Sequence, residues 1–180
     1  MDRGAEFYRS FLQGNENSLD EIIRIYRDGL VLYINSIVKD ITLAEDVAED
    51  TFVKLFVKRP HFRDGASFKT FLYTIGRNTA LNALKKRVIH VPVDECEDLA
   101  SDAESIEDII IREEREKTLL TEIAALKPDY SQALWLVYYE QMSVRDAAEV
   151  IGKSVHATEM ILSRARKELK TKLTEGGFDI

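Results

Sequence analysis

The chain has 180 residues, 45% of them hydrophobic and 32% charged, with a net charge of −7. That is enough apolar material for one domain or two small ones, and no apolar run approaches the roughly 20 residues that span a bilayer. One cysteine, Cys96, excludes an internal disulfide framework, and the opening MDRGAEFYRS lacks the apolar core of a cleavable leader, so a cytoplasmic protein without membrane insertion is expected.

The charge is unevenly spread. Residues 1–87 hold 14 basic and 12 acidic side chains, residues 88–116 hold 2 and 11, and residues 117–180 hold 9 of each. The acidity belongs to the middle of the chain and does not oppose anion binding by its flanks.

In chain order, a short helix is expected over Glu6–Leu12, before the Gly14-Asn15 break. Ser18, Thr42, Ser105 and Ser143 each stand three residues ahead of a carboxylate (Glu21, Glu45, Asp108, Asp146), the pattern that closes a helix N-terminus with reciprocal hydrogen bonds. From Ser18 an apolar stripe at helical spacing (Leu19, Ile22, Ile23, Tyr26, Leu30) continues to Ile37 and Lys39. From Thr42 a second stripe (Leu43, Val47, Thr51 or Phe52, Leu55, Phe56) runs until Pro60 stops it. The turn Arg63-Asp64-Gly65-Ala66-Ser67 then leads into a helix over Ser67–Arg87. Between Gly65 and Arg87 there is no Asp or Glu, yet Lys69, Arg77, Lys85, Lys86 and Arg87 all fall there. With Phe68, Phe71 and Tyr73 near its start, this helix suits stacking on bases while neutralising phosphates. A core helix with a basic far face fits the same pattern.

Residues 88–104 (VIHVPVDECEDLASDAE) combine a proline, many carboxylates and no sustained period, which predicts a linker extended by its own repulsion. It serves either as a solubilising tether or as a nucleic-acid mimic lying in a basic channel. A second helical unit follows over 105–180. One helix runs from Ser105 to Leu126, and Pro128 opens another over Asp129–Glu140. That helix is apolar on most sides and forms the core of the unit, with Trp135 as a packing residue. No strand alternation is visible. The fold class is therefore all-α, with two small helical domains (1–87 and 105–180) joined by an acidic linker.

Met142 to Leu173 predicts a short helix, a tight turn and a longer helix. Val144, Ala147, Ala148 and Ile151 face inward on the first, and Gly152 supplies a left-handed stop. Ser154 caps the second, whose inner face is Thr158, Leu162, Ala165 and Leu169. Its outer face carries His156, Glu159, Ser163, Arg164, Arg166, Lys167 and Lys170. This is a helix-turn-helix with a second helix sized for a major groove, although an αα-hairpin without DNA shares the geometry.

Gly152-Lys153-Ser154 ends like a phosphate-binding loop, but Ala147 stands where that loop needs glycine, and a helix precedes it in place of a strand. Cys96, His61, His90 and His156 are too scattered to suggest a metal site. No nucleophile, base and orienter set appears, nor paired carboxylates beyond capping and surface positions. Neither an enzyme nor a cofactor is expected.

Three stretches together resemble one family, the bacterial extracytoplasmic-function (ECF) sigma factors, two-domain initiation subunits of RNA polymerase. LAEDVAEDTFVKLF (Leu43–Phe56) looks like the family's acidic segment that docks on core polymerase. The resemblance implies core-binding roles for Leu43, Glu45, Asp46, Glu49, Asp50 and Phe52, with Asp46 and Asp50, one turn apart, as the better carboxylate candidates. SFKTFLYTIGRNTALNALKKR (Ser67–Arg87) looks like the segment that opens and reads the minus-ten element. Melting leaves an unstacked base that must be caught in a pocket, and the Arg63–Ser67 turn is where the family forms one. Phe68, Tyr73 and Asn78 would stack or hydrogen-bond there, while Lys69, Arg77, Lys85, Lys86 and Arg87 hold phosphates. Leu126–Leu169 looks like the minus-thirty-five reader, implying contacts from Ser154, His156, Ala157, Glu159, Met160, Ser163, Arg164, Arg166 and Lys167. The implied partners are RNA polymerase core, promoter DNA and an anti-sigma factor.

This chain departs from the family pattern at three places. Phe71 replaces a usual tryptophan, and Asn82 a usual aspartate. In the recognition helix, Glu159 and Ile161 stand where lysine and arginine are usual. Glutamate can still accept from cytosine's amino group, and Met160 or Ile161 can touch a thymine methyl, so both altered and weakened upstream reading fit. A stand-alone helix-turn-helix regulator and a sigma-like protein held by an inhibitory partner are the competing readings.

Overall fold

The computed structural model describes residues 2–63, 65–90 and 114–175, and the chain divides into two compact units, Met1–Glu97 and Asp98–Ile180. All regular structure among the described residues is helical. None of the described helices is long and apolar enough to cross a membrane.

Among the described residues, unit 1 has four helices: α1 (Arg3–Leu12), α2 (Asn17–Val38), α3 (Ile41–Lys58) and α4 (Phe68–His90). Helix α2 is central, packing against each of the other three, because its apolar residues are distributed widely enough to bury Ile22, Leu30, Val31, Tyr33, Ile34 and Ile37. Lys39 closes it in the left-handed conformation (φ 57°), returning its N–H to the Asn35 carbonyl. Gly76 lets α4 lie close to α2: a Cβ there would stand 2.8 Å from Leu30 Cδ1.

Two of the expected N-terminal caps are displaced. Helix α3 is capped by Asp40, whose Oδ1 accepts from the Leu43 N–H at 3.0 Å, leaving Thr42 inside the helix. Asp40 wins because it follows the left-handed Lys39 in an extended conformation (φ −151°), the backbone an N-cap requires. Ser18 is likewise inside α2 and buried, while Glu21 turns to Arg24 at 2.5 Å, a hydrogen bond that holds its carboxyl below the usual range. Helix α4 also runs to His90, past the boundary expected at Arg87. The rest of the expected linker and the Ser105–Asp108 cap lie outside the described residues.

Unit 2 comprises α5 (Glu114–Ala124), α6 (Pro128–Leu134), α7 (Val144–Ile151) and α8 (Val155–Glu175). Pro128 opens α6 as its spacing predicts, but the expected helix to Glu140 widens at Trp135–Tyr139 into a π turn, with the Glu140 N–H reaching the Trp135 carbonyl at 3.0 Å. The wider turn keeps Trp135 and Leu136 in the core and stacks Trp135 on Tyr139 at 4.1 Å. Ser143 caps α7 through the Asp146 N–H at 3.1 Å, and Gly152 ends it at φ 72°. Ser154 caps α8 through the Ala157 N–H at 3.1 Å. Ala147, Ala148, Thr158, Leu162 and Ala165 are buried where α7 and α8 cross.

Gly4 tests how closely α1 is seated. Replacing a helical glycine by alanine ordinarily gains about 0.5–1 kcal/mol, but a Cβ on Gly4 would overlap Phe68 Cδ1 and the Tyr26 hydroxyl. Overpacking costs about 1–3 kcal/mol, so Gly4→Ala is expected to lower the stability of unit 1 in chemical denaturation. A stabilised variant would show that α1 does not sit against Phe68 as described.

Candidate nucleic-acid interface

The basic helix α4 begins where two side chains converge on its unsatisfied N–H groups. Ser67 Oγ accepts from the Thr70 N–H at 3.3 Å, and Asp2 Oδ2 accepts from the Phe68 N–H at 2.7 Å. Just ahead of it, Arg63 and Gly65 are exposed, with Gly65 at φ 79° where a side chain would be strained. Asp64 lies outside the described residues.

The aromatic side chains expected to stack on bases are not at the surface. Phe68 is 0% exposed and Tyr73 1%. Phe68 packs on Tyr8, Tyr26, Phe62 and Phe71, and Tyr73 lies 5.2 Å from the Tyr33 ring. Burial pushes the Tyr33 phenol well above its ordinary range, against the opposing charge of Arg77. The reason for the correction is periodicity: Phe68 and Tyr73 fall on the face that α4 turns toward α1 and α2, where 3.6-residue spacing demands apolar filling. Phe71 is half-buried in the same cluster.

Nor do the cations of α4 form one face. Phe71, Asn78 and Lys85 are seven apart and share a side, with Asn78, Lys85 and Lys86 exposed. Lys69 and Arg87 are eighteen residues, or about five turns, apart and lie on a different side. Lys69 Nζ rests 5.9 Å from the Tyr73 ring centroid, and Arg87 Nη1 pairs with Asp40 Oδ2 at 3.1 Å. The sequence shows no acid along this helix, but the fold brings one to Arg87 from the start of α3. Arg77 is half-buried.

On α3, Asp46, Glu49 and Asp50 are exposed along one face. Leu43 is half-buried, and Glu45, also half-buried, pairs with Arg27 at 3.8 Å. Phe52 is buried and stacks on Phe56, so it supports the face from within and is not part of it. What the sequence reading missed is the continuation of the face: Val53 and Val57 are 56% and 76% exposed. The signal was available, since positions 46, 49, 50, 53 and 57 fall on one side of a helix. A groove of about 300 Å³ beside this face is lined by Asp40, Thr42, Leu43, Asp46, Ala83 and Arg87.

In unit 2, α8 places His156, Glu159, Met160, Ser163, Arg164, Arg166 and Lys167 in solvent, Ser154 exposed at its cap and Ala157 half-buried. Glu159 Oε2 stands 3.9 Å from His156 Nδ1, so the first turn carries an acid beside an imidazole. Ile161 is half-buried.

Two family descriptions match the chain: Sigma-70 region 2 over residues 22–88 and Sigma-70, region 4, over residues 116–169. Among similar curated proteins, the chain is 30% identical over 171 residues to the RNA polymerase sigma-H factor of Pseudomonas aeruginosa, covering 89% of each. It is 29% identical over 164 residues to RNA polymerase sigma factor YlaC of Bacillus subtilis, covering 89% of this chain and 95% of that one. Among solved structures, the sigma factor RpoE of Bartonella quintana, in complex with the anti-sigma factor NepR, has a TM-score of 0.65 at 22% identity, covering 86% of this chain and 96% of that one.

Lys39, beside the Asp40 cap, is half-buried, and burial lowers its amine from 10.5 to about 8. Below pH 8 the amine is charged in both folded and unfolded chains, and the burial penalty is present in full. Between about pH 8 and 10.5 only the unfolded chain retains the proton, so this group's contribution to stability rises with pH. Lys39→Met is expected to flatten that rise in denaturation curves taken across this range, and an unchanged pH dependence would refute it. With region 2 lying on α2 to α4 and region 4 on the helix-turn-helix, the chain belongs to the sigma-70 family of RNA polymerase sigma factors, in its ECF group.

Proposed function

We propose that this chain is an ECF sigma factor that binds core RNA polymerase through the exposed face of α3, opens the minus-ten element with the loop and basic helix of unit 1, and contacts the minus-thirty-five element with α8. The observation that carries the reading is the placement of the family matches: each falls on helices whose exposed residues suit the same task. Asp46, Glu49 and Asp50 offer a negative face to a basic partner, and Val53 and Val57 extend it with apolar area. Phosphate contact falls to Arg63, Lys85 and Lys86, with Asn78 beside them for hydrogen bonding. Since Phe68 and Tyr73 are buried, base capture belongs to the loop and the exposed side of α4, with the rings as its foundation. Arg87 is shared between Asp40 and any phosphate, which weakens its part. RNA synthesis itself is left to the polymerase.

An anti-sigma partner is proposed on the likeness to a sigma factor solved in such a complex. Upstream reading is proposed to be altered relative to the family, because Glu159 and Met160 are both exposed on the first turns of α8. Glu159→Lys should then change which upstream sequences are preferred.

Run-off transcription with core polymerase on a promoter library is the direct test, and absence of specific initiation would overturn the reading. Reversing charge at Asp46 and Asp50 together should weaken core binding by about tenfold or more while leaving the chain's own DNA affinity unchanged. A stand-alone regulator would show no loss of regulatory activity from that double change. Lys85→Ala or Lys86→Ala should each reduce the salt slope of DNA binding by about one unit, and an unaltered slope would remove that lysine from the phosphate contacts.

A further inference from the structure

We propose that α1 is a clamp on the loop between α3 and α4, and that Asp2 and Tyr8 are positioning residues for base capture by that loop. The inference rests on the reading that this loop takes up a base from opened DNA, and it adds what holds the loop ready.

The clamp grips both ends of the loop. At the entry, Tyr8 Oη donates to the Pro60 carbonyl at 2.9 Å. At the exit, Asp2 Oδ2 accepts from the Phe68 N–H at 2.7 Å while its Oδ1 accepts from the Ala5 N–H at 3.1 Å. One carboxylate therefore closes the N-termini of two helices and fixes the first turn of α4 against α1. Between the ends, Phe62 is buried edge-on to Tyr8 at 6.1 Å, and Arg9 lies 5.7 Å from its ring centroid. Gly4 has no space for a side chain against Phe68, so α1 lies directly against the first turn of α4.

Arg63 and Gly65 remain exposed between these anchors. Fixing entry, middle and exit removes conformations that the loop would otherwise lose on taking up a base, and pre-organisation of that kind strengthens and sharpens binding. Burial pushes the Tyr8 phenol up to about 12, so it stays a donor at any physiological pH. Both positioning residues precede residue 22, where the match to region 2 begins, so the motif that identifies the family does not contain the clamp.

Asp2→Asn separates the two duties of the carboxylate. Its amide oxygen can keep the α1 cap at Ala5, but its amino group cannot accept from Phe68. Tyr8→Phe releases the other end. Each full-length variant, bound to core polymerase, would select from short, fully randomised single-stranded DNA, with bound sequences compared to those of the unsubstituted chain. The expected result is a selective base preference at one position that falls by about fivefold or more in either variant, with affinity for core polymerase unchanged. A merely structural role scales binding to every base by the same folded fraction, so preferences equal to those of the unsubstituted chain overturn the clamp. If the unsubstituted chain prefers no base at any position, the loop reading fails and the clamp with it.

Discussion

The Phe68 ring sits at the first turn of α4, wholly buried, with the rings of Tyr8, Tyr26, Phe62 and Phe71 at 5.4, 5.5, 5.8 and 6.2 Å. These four neighbours come from α1, α2, the loop and α4, so one side chain ties those four segments together. Aromatic pairs contribute about 0.5–1.5 kcal/mol each beyond the area they bury. Their larger effect here is geometric. Planar side chains with few rotamers fix the start of α4 in position, and the hydrogen bond from Phe68 to Asp2 fixes its direction. The exposed residues of α4 and the loop inherit their placement from that cluster.

This changes what the aromatic run in Phe68–Tyr73 is for. Rings beside cations invite a stacking surface, but a helix can turn only part of its circumference to solvent. At 3.6 residues per turn, Phe68 and Tyr73 must share the inner face with Leu72 and Ala80, all buried, while Asn78 and Lys85 take the outer one. On the proposed reading, the chemistry of binding is divided between an apolar foundation and a polar surface. Mutating the foundation would then disturb binding through folding, whereas mutating the exposed Lys85 would act through its charge.

The elements that were legible in the sequence are those fixed by local rules. Pro60 and Gly152 ended helices where expected, Pro128 opened one, Ser143 and Ser154 capped the helix-turn-helix, and the inner face of α8 followed from spacing. What was not legible depends on distant partners. Asp2 caps a helix 66 residues away, Arg87 meets Asp40 across 47, and Tyr8 reaches Pro60 across 52. No pattern within a window can report such pairs. The Thr42 cap failed for a local reason: a stronger competitor, Asp40, stood two residues earlier on a backbone already turned by Lys39. Val53 and Val57 share a side of α3 with Asp46 and Asp50, but spacing alone does not tell an apolar residue that is buried from one left outside.

The distribution of charge on α8 has a consequence for where specificity resides on the proposed reading. Its first exposed positions are Val155, His156, Glu159 and Met160, and positive charge on the helix begins only at Arg164, continuing through Arg166 and Lys167. A recognition helix presents its N-terminal residues to base edges, with the flanking parts nearer the backbone. The turns aimed at bases therefore offer one acid, one imidazole, a thioether and the Val155 methyls, and the phosphates are met further along. An acid in that position is repelled by every phosphate and rewarded only where a base amino group, cytosine's above all, is in reach. Such a helix gains little from non-specific attraction, so the general affinity for promoter DNA must come from the later cations of α8 and from Lys85 and Lys86 of unit 1. On that reading the first turns of α8 select among sites, the cations of both units hold the duplex, and the loop and helix built on Phe68 open it.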